Sequence, residues 1–165
     1  MFKKILSLLF VLSFSIATAI GAESYTLKSG ISVIDKIPKT FYGTWRVSSQ
    51  LVSTNAEETF KPKNVDLWNL SRTGDVITLN NPFSGAKASI TVDKVEDKLI
   101  KFKKLGDYDS KKLTDIVQLN LEKESFSGTN TLIVETLSNV DNSVIKTERA
   151  VYKLTGEKIS GSSIE

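Results

Sequence analysis

From Phe41 onward, apolar and polar residues alternate with a period of two in one short stretch after another. The first begins at Phe41-Tyr42-Gly43-Thr44-Trp45-Arg46-Val47, where Trp45, Val47, Ser49 and Leu51 fall on one face and Thr44, Arg46, Ser48 and Gln50 on the other. That is the pattern of a half-buried strand. Gly43 allows a close backbone approach or a positive φ, and Trp45 brings the largest apolar surface a small core can use. Residues 54–64 are polar with one Phe and one Pro, predicting a loop or a loop with one helical turn. Residues 65–70 and 76–79 flank a glycine turn at 71–75 and predict a hairpin. The turn cluster at 80–85 ends it. Ala86, Ala88, Ile90 and Val92 then alternate with Lys87, Ser89, Thr91 and Asp93, and residues 99–102 give another strand. Residues 106–112 read as a solvated loop. Strands are expected at 116–122, with Val117, Leu119 and Leu121 on one face, at 126–137 and at 143–154. Thr155-Gly156 reads as a break before a final short strand at 157–160.

Eight or nine strands joined mostly by hairpins, without a long helix, predict an all-β, antiparallel up-and-down sheet. Closing such a sheet removes its exposed edges, so an eight- to nine-stranded barrel is expected. A barrel of this size is either filled by its own side chains or able to hold one small ligand. Small inward residues such as Ser49, Ala88 and Thr147 would leave room.

Before the strands, Lys3 and Lys4 precede a serine-diluted apolar run over residues 5–16, followed by Ala17-Thr18-Ala19. A basic start, a short apolar stretch and an Ala-x-Ala exit predict a secretory signal peptide over residues 1–22, and cleavage after Ala19 or after Ala22 both fit. The apolar run is short for a membrane span. Residues 23–40, with Gly30 and Pro38, read as a lead-in to a barrel domain over 41–165, with a short helical turn before Pro38. The expected destination is the periplasm or the extracellular space of a bacterium, with no integral membrane segment in the mature chain.

Formal charge is +3, from 22 basic and 19 acidic residues. Lys3 and Lys4 supply two of those three charges, so the body gives no electrostatic reason to expect nucleic acid as a partner. The chain has no Cys and no His. Disulfides, the common zinc and copper sites, and Ser-His-Asp or Cys-His catalysis are therefore unavailable, and no metal or cofactor is expected. The carboxylate pairs Asp107 with Asp109 and Glu122 with Glu124 lie in turns beside lysines, which gives no reason for the perturbed protonation that acid–base catalysis needs. The chain does not read as an enzyme.

Phe41-Tyr42-Gly43-Thr44-Trp45 resembles the opening motif of the calycins, the lipocalins and intracellular fatty-acid-binding proteins, which begin their first barrel strand with Gly-x-Trp. Residues 74–79 resemble the early hairpin of the fatty-acid-binding group. The resemblance implies that Trp45 sits at the closed end of the barrel, covered by a cation from the last strand, either Arg149 or Lys158. The chain departs from the pattern in three places. The link between the first two strands is too short for a two-helix lid. Arg149-Ala150-Val151-Tyr152 is one residue longer than that group's Arg-x-Tyr, which puts Arg149 and Tyr152 on opposite faces. Thr114-Asp115-Ile116, similar to the lipocalin Thr-Asp-Tyr, comes too early.

Gly43, Trp45 and Arg149 are thus candidates for closing the barrel. With Ile145, Thr147, Arg149 and Val151 sharing a face, Arg149 is expected to point inward, either stacking on Trp45 or holding a ligand carboxylate; exposure after a bulge is the third reading. Trp68 is a core or cavity-lining aromatic and, with Arg149, a candidate ligand contact. The lysines at 98, 101, 103, 104, 111 and 112 read as the solvated side of a strand. Two functions follow: an exported lipocalin-like protein holding a small apolar or amphipathic ligand, or a filled barrel that binds a protein or glycan through the loops at 54–64 and 80–85. The pattern leaves the oligomeric state open.

Overall fold

The computed structural model describes residues 32–161 and 163–164. The expected signal peptide and the first part of the lead-in, through residue 31, lie outside the described residues. The described part is all-β apart from two 3₁₀ turns, Val33–Lys36 and Lys39–Phe41. Among the described residues no helix is long and apolar enough to cross a membrane.

Eight antiparallel strands follow one another as a meander: β1 (Gly43–Thr54), β2 (Lys63–Thr73), β3 (Val76–Asn80), β4 (Lys87–Glu96), β5 (Leu99–Tyr108), β6 (Lys111–Leu121), β7 (Ser125–Leu137) and β8 (Val144–Ser160). Each pairs with the next, and β1 pairs with both β2 and β8, so the sheet closes into a barrel without a free edge among these strands. A two-residue β9 (Ser163–Ile164) runs parallel to β2 at Ser71 and Arg72, beyond the point where β1 begins. The chain between β8 and β9 crosses directly over Gly43. That residue has φ +121, and a Cβ there would collide with the carbonyls of Ser160 and Gly161, so only glycine fits this seam.

Two expected boundaries are corrected. Residues 106–112 are mostly strand, and only Asp109 and Ser110 turn. Asp107 stands opposite Lys112, and Lys112 opposite Glu135, so cross-strand charge pairs carry the hairpin out past the apolar part of the wall. Thr155-Gly156 does not break the last strand, because β8 runs continuously through it. Gly156 is there because the Phe126 ring lies where its Cβ would be, and a strand glycine that admits a neighbour looks in sequence like a turn.

The interior is graded along the barrel axis. At the end where β1 starts, Trp45, Phe41, Tyr42, Leu70, Ile77, Ile100, Phe102, Leu119 and Leu154 are fully or almost fully buried. The rings form a continuous chain. Trp45 meets Phe126 at 5.2 Å, Phe126 stacks on Trp68 at 6.0 Å, Trp68 meets Phe102 edge-on at 6.4 Å, and Phe102 meets Phe41 at 6.1 Å. The lead-in caps this end. The first 3₁₀ turn stops at Ile37, which is extended before Pro38, and Arg72 on β2 pins the turn through Asp35 at 2.7 Å.

Candidate functional site

Lys158, near the end of β8, lies with Nζ 5.1 Å from the Trp45 ring centroid and donates to the carbonyls of Thr40 at 2.7 Å and Tyr42 at 2.8 Å. The Trp45 indole N–H donates to the carbonyl of Phe41 at 2.9 Å. One ammonium thus ties the lead-in to the barrel wall over the aromatic plug. Burial pushes the Lys158 ammonium below its usual pKa, with the Glu124 carboxylate pulling the other way.

Arg149 does not take this place, and its expected inward orientation is corrected. The side chain is exposed, and the residue's backbone is what the fold uses. Its N–H donates to the Asn55 side chain at 2.7 Å, and its carbonyl accepts from the Thr54 hydroxyl at 2.9 Å. The inward stripe of β8 is Glu148, Ala150, Tyr152, Leu154 and Gly156. Thr147, expected to leave room inside, is likewise on the outer face.

Beyond the aromatic chain, toward the other end, the barrel is hollow. The cavity encloses about 450 Å³. Its floor is apolar, built from Trp68, Phe102, Val117 and Leu154, with Val47 and Leu79 beside them. Trp68 is therefore both core, at 9% exposure, and cavity lining. Ser49 also lines the space, one of the small residues that leave it open.

Above the floor the inward stripes turn polar. On β2 the order from mouth to floor is Asn64, Asp66, Trp68; on β5 it is Lys104, Phe102; on β6, Asp115, Val117. Lys104 and Asp115 form an ion pair at 2.7 Å, with the Asp115 side chain 9% and the Lys104 side chain 34% exposed. The Asn130 amide N–H donates to Asp115 at 3.0 Å, while Asn130 Oδ1 is buried without a donor. Asp66 Oδ1 accepts from the backbone N–H of Leu67 at 2.9 Å and from the Asn81 amide. Among the described residues no cation pairs with Asp66. Leu113 and Leu132 line the cavity on the mouth side of this belt.

The mouth is covered by a strap, the β1–β2 connection over residues 55–62. It makes one helical turn, with the N–H groups of Thr59 and Phe60 donating to the Ala56 carbonyl, and this tucks Phe60 inward to 5% exposure. Four contacts hold it to β8: Asn55 against Arg149, the Asn55 amide donating to the Thr147 carbonyl at 3.3 Å, the Tyr152 hydroxyl donating to the Lys61 carbonyl at 3.2 Å, and the Thr59 hydroxyl donating to Glu148 at 2.7 Å. Glu148, with 6% of its side chain exposed, also meets Lys146 at 2.8 Å. The Lys146 and Thr59 hydrogen bonds hold its carboxyl below the usual carboxylate range against the opposing effect of burial.

The sequence pattern does not single out Lys104, Asp115, Asn130, Glu148 and Tyr152 as site residues, and Lys104 falls in the basic band that reads as the solvated side of a strand. Its neighbours Lys98 and Lys103 do pair at the surface, with Glu122 and Asp93. The available signal was parity: Lys104 is in step with Ile100 and Phe102, and Asp115 with Val117, Leu119 and Leu121. A charged residue in step with a buried stripe faces the interior. Among the described residues no cluster of acidic, His or Cys side chains could hold a metal ion. No family model, no curated protein and no solved structure matches this chain.

Proposed function

We propose that this is an exported binding protein of lipocalin-like build, which holds one small amphipathic molecule in the open half of the barrel. The observation that carries the reading is the 450 Å³ cavity with an apolar floor, a polar belt and a strap across its mouth. Ligand sites in barrels are typically concave, mostly apolar and supplied with a few placed polar groups. The Gly43-Thr44-Trp45 opener with Lys158 over the indole supports the calycin comparison. Binding rather than catalysis fits the belt, whose Lys104 and Asp115 neutralise each other, in a chain without His or Cys. Native mass spectrometry of the protein purified from its own host is expected to show a co-purified small molecule that is released on unfolding. A chain that emerges ligand-free and leaves Trp68 fluorescence unchanged against a panel of amphiphiles would sink the reading.

A second reading, contact with a protein or glycan through the loops, is favoured by three residues of the mouth rim. Phe83, Tyr108 and Val140 are 83%, 69% and 96% exposed. Replacing all three by Ser should abolish such capture and leave small-molecule binding intact.

A further inference from the structure

The polar groups that line the cavity are unevenly matched. Its inner walls carry one cation, Lys104, and two carboxylates, Asp66 and Asp115. Lys104 is committed to Asp115. Lys61 also borders the cavity, but it sits exposed on the strap and makes no ion pair with Asp66. Asp66 receives one backbone N–H and one amide, both on Oδ1, and neither brings a positive charge. Asn130 adds a second acceptor without a donor, because its amide N–H is spent on Asp115. The two sites lie on well-separated strands, β2 and β7, of the eight-strand ring. Both lie on the polar belt just above the apolar floor. What Asp66 lacks is a cation.

We infer that the bound molecule carries a cationic hydrogen-bond donor, a primary ammonium on an apolar body, with the ammonium against Asp66 and the body on Trp68, Phe102 and Leu154. This rests on the binding reading given above and specifies its ligand. An ammonium has donors and no acceptor, so it can complete Asp66 without leaving a lone pair of its own unmatched. A carboxylate headgroup would meet a lysine already neutralised and would lie in a cavity with an uncompensated Asp66, and burying a second unpaired negative charge is costly. An alcohol falls between the two, since it can donate but brings no charge.

Calorimetric titration with decylamine, decanol and decanoate, which share one chain length, tests the order. The amine should bind most tightly and the carboxylate most weakly. Without Lys3 and Lys4 the 22 basic residues fall to 20 against 19 acidic ones, a net charge of +1, so nonspecific surface attraction gives the amine no advantage and cannot produce the expected order. In Asp66→Asn, decylamine affinity should drop roughly tenfold, the size of one charge-assisted hydrogen bond, while decanol stays within about twofold. An unchanged urea midpoint shows that the variant is folded. Decanoate or decanol binding as tightly as decylamine, or an Asp66→Asn variant that keeps full amine affinity, would overturn the inference and leave the binding reading standing. Failure of all three compounds to bind would overturn both.

Discussion

On the closed side of Trp68 the barrel is packed from wall to wall, with five aromatic rings in van der Waals sequence and a lysine clamped over the last indole. On the other side the same eight strands enclose about 450 Å³. The strands do not change in number or pairing between the two halves. What changes is the inward side chain, from Leu, Ile, Phe and Trp to Ser49, Asp66, Lys104, Asp115 and Asn130. The lesson is that one half supplies the stability that lets the other half stay open. An eight-stranded ring is just wide enough to be either filled or hollow, and here it is both.

The sharpest way to break that comparison is at the two tryptophans. Trp45→Ala removes a fully buried ring and its Lys158 contact, and should cost about 3–5 kcal/mol in urea denaturation, a large share of the stability of a domain this size. Trp68→Ala should cost clearly less, about 1–3 kcal/mol, because one of its faces already borders empty space. Equal losses would mean that the division into packed and hollow halves is wrong. Next comes the belt. Lys104→Met leaves Asp115 without its cation and should destabilise by about 2 kcal/mol, discounted because Lys104 is about a third exposed. Adding Asp115→Leu should restore much of that loss. Filling the hollow half addresses function rather than stability. Ser49→Phe should abolish titratable binding while shifting stability by only about 1 kcal/mol in either direction, since the new ring enters space rather than a packed core.

The smallest effect is expected at the strap and depends on pH. The folded-state pKa of Glu148 is lowered from its ordinary value of 4.5. Its contribution is therefore fully present above that value and is lost as pH falls through the lowered one. Glu148→Gln should thus be less stable than the parent at neutral pH, and the gap should close in acid. Limited proteolysis within residues 55–62 should follow the same course. A gap that widens on acidification would show that Glu148 does not latch the strap.

Much of the fold was legible in the sequence for a physical reason. Alternation with period two states that a stretch is a strand and which residues share a face, and hairpin turns state that neighbours pair. The meander and its closure follow from those two facts. The sign of each face does not. In β8 the parity grouping of Thr147, Arg149 and Val151 is right, yet Ile145 and Val151 made that stripe look like the core. The true inner stripe is Glu148, Ala150, Tyr152, Leu154 and Gly156, which mixes a carboxylate, two small residues and a phenol. A barrel wall that lines a cavity or admits a neighbouring ring uses residues that sequence patterns assign to the outside. For the same reason Lys104 reads in the sequence as surface charge. The cation over Trp45 was narrowed to two residues, and the geometry of the seam selects Lys158.

Closure through β1 and β8 has a kinetic side. Trp45 pairs with Trp68 on one flank but with Lys158 on the other, so one whole flank of the first strand waits for residues far downstream. Long-range pairings of this kind slow folding. A ribosome delivers β8 after the other seven barrel strands, so β1 has no partner on that flank until then. Such a chain is open to aggregation and to chaperones until its eighth strand arrives, and the ring closes only with that step.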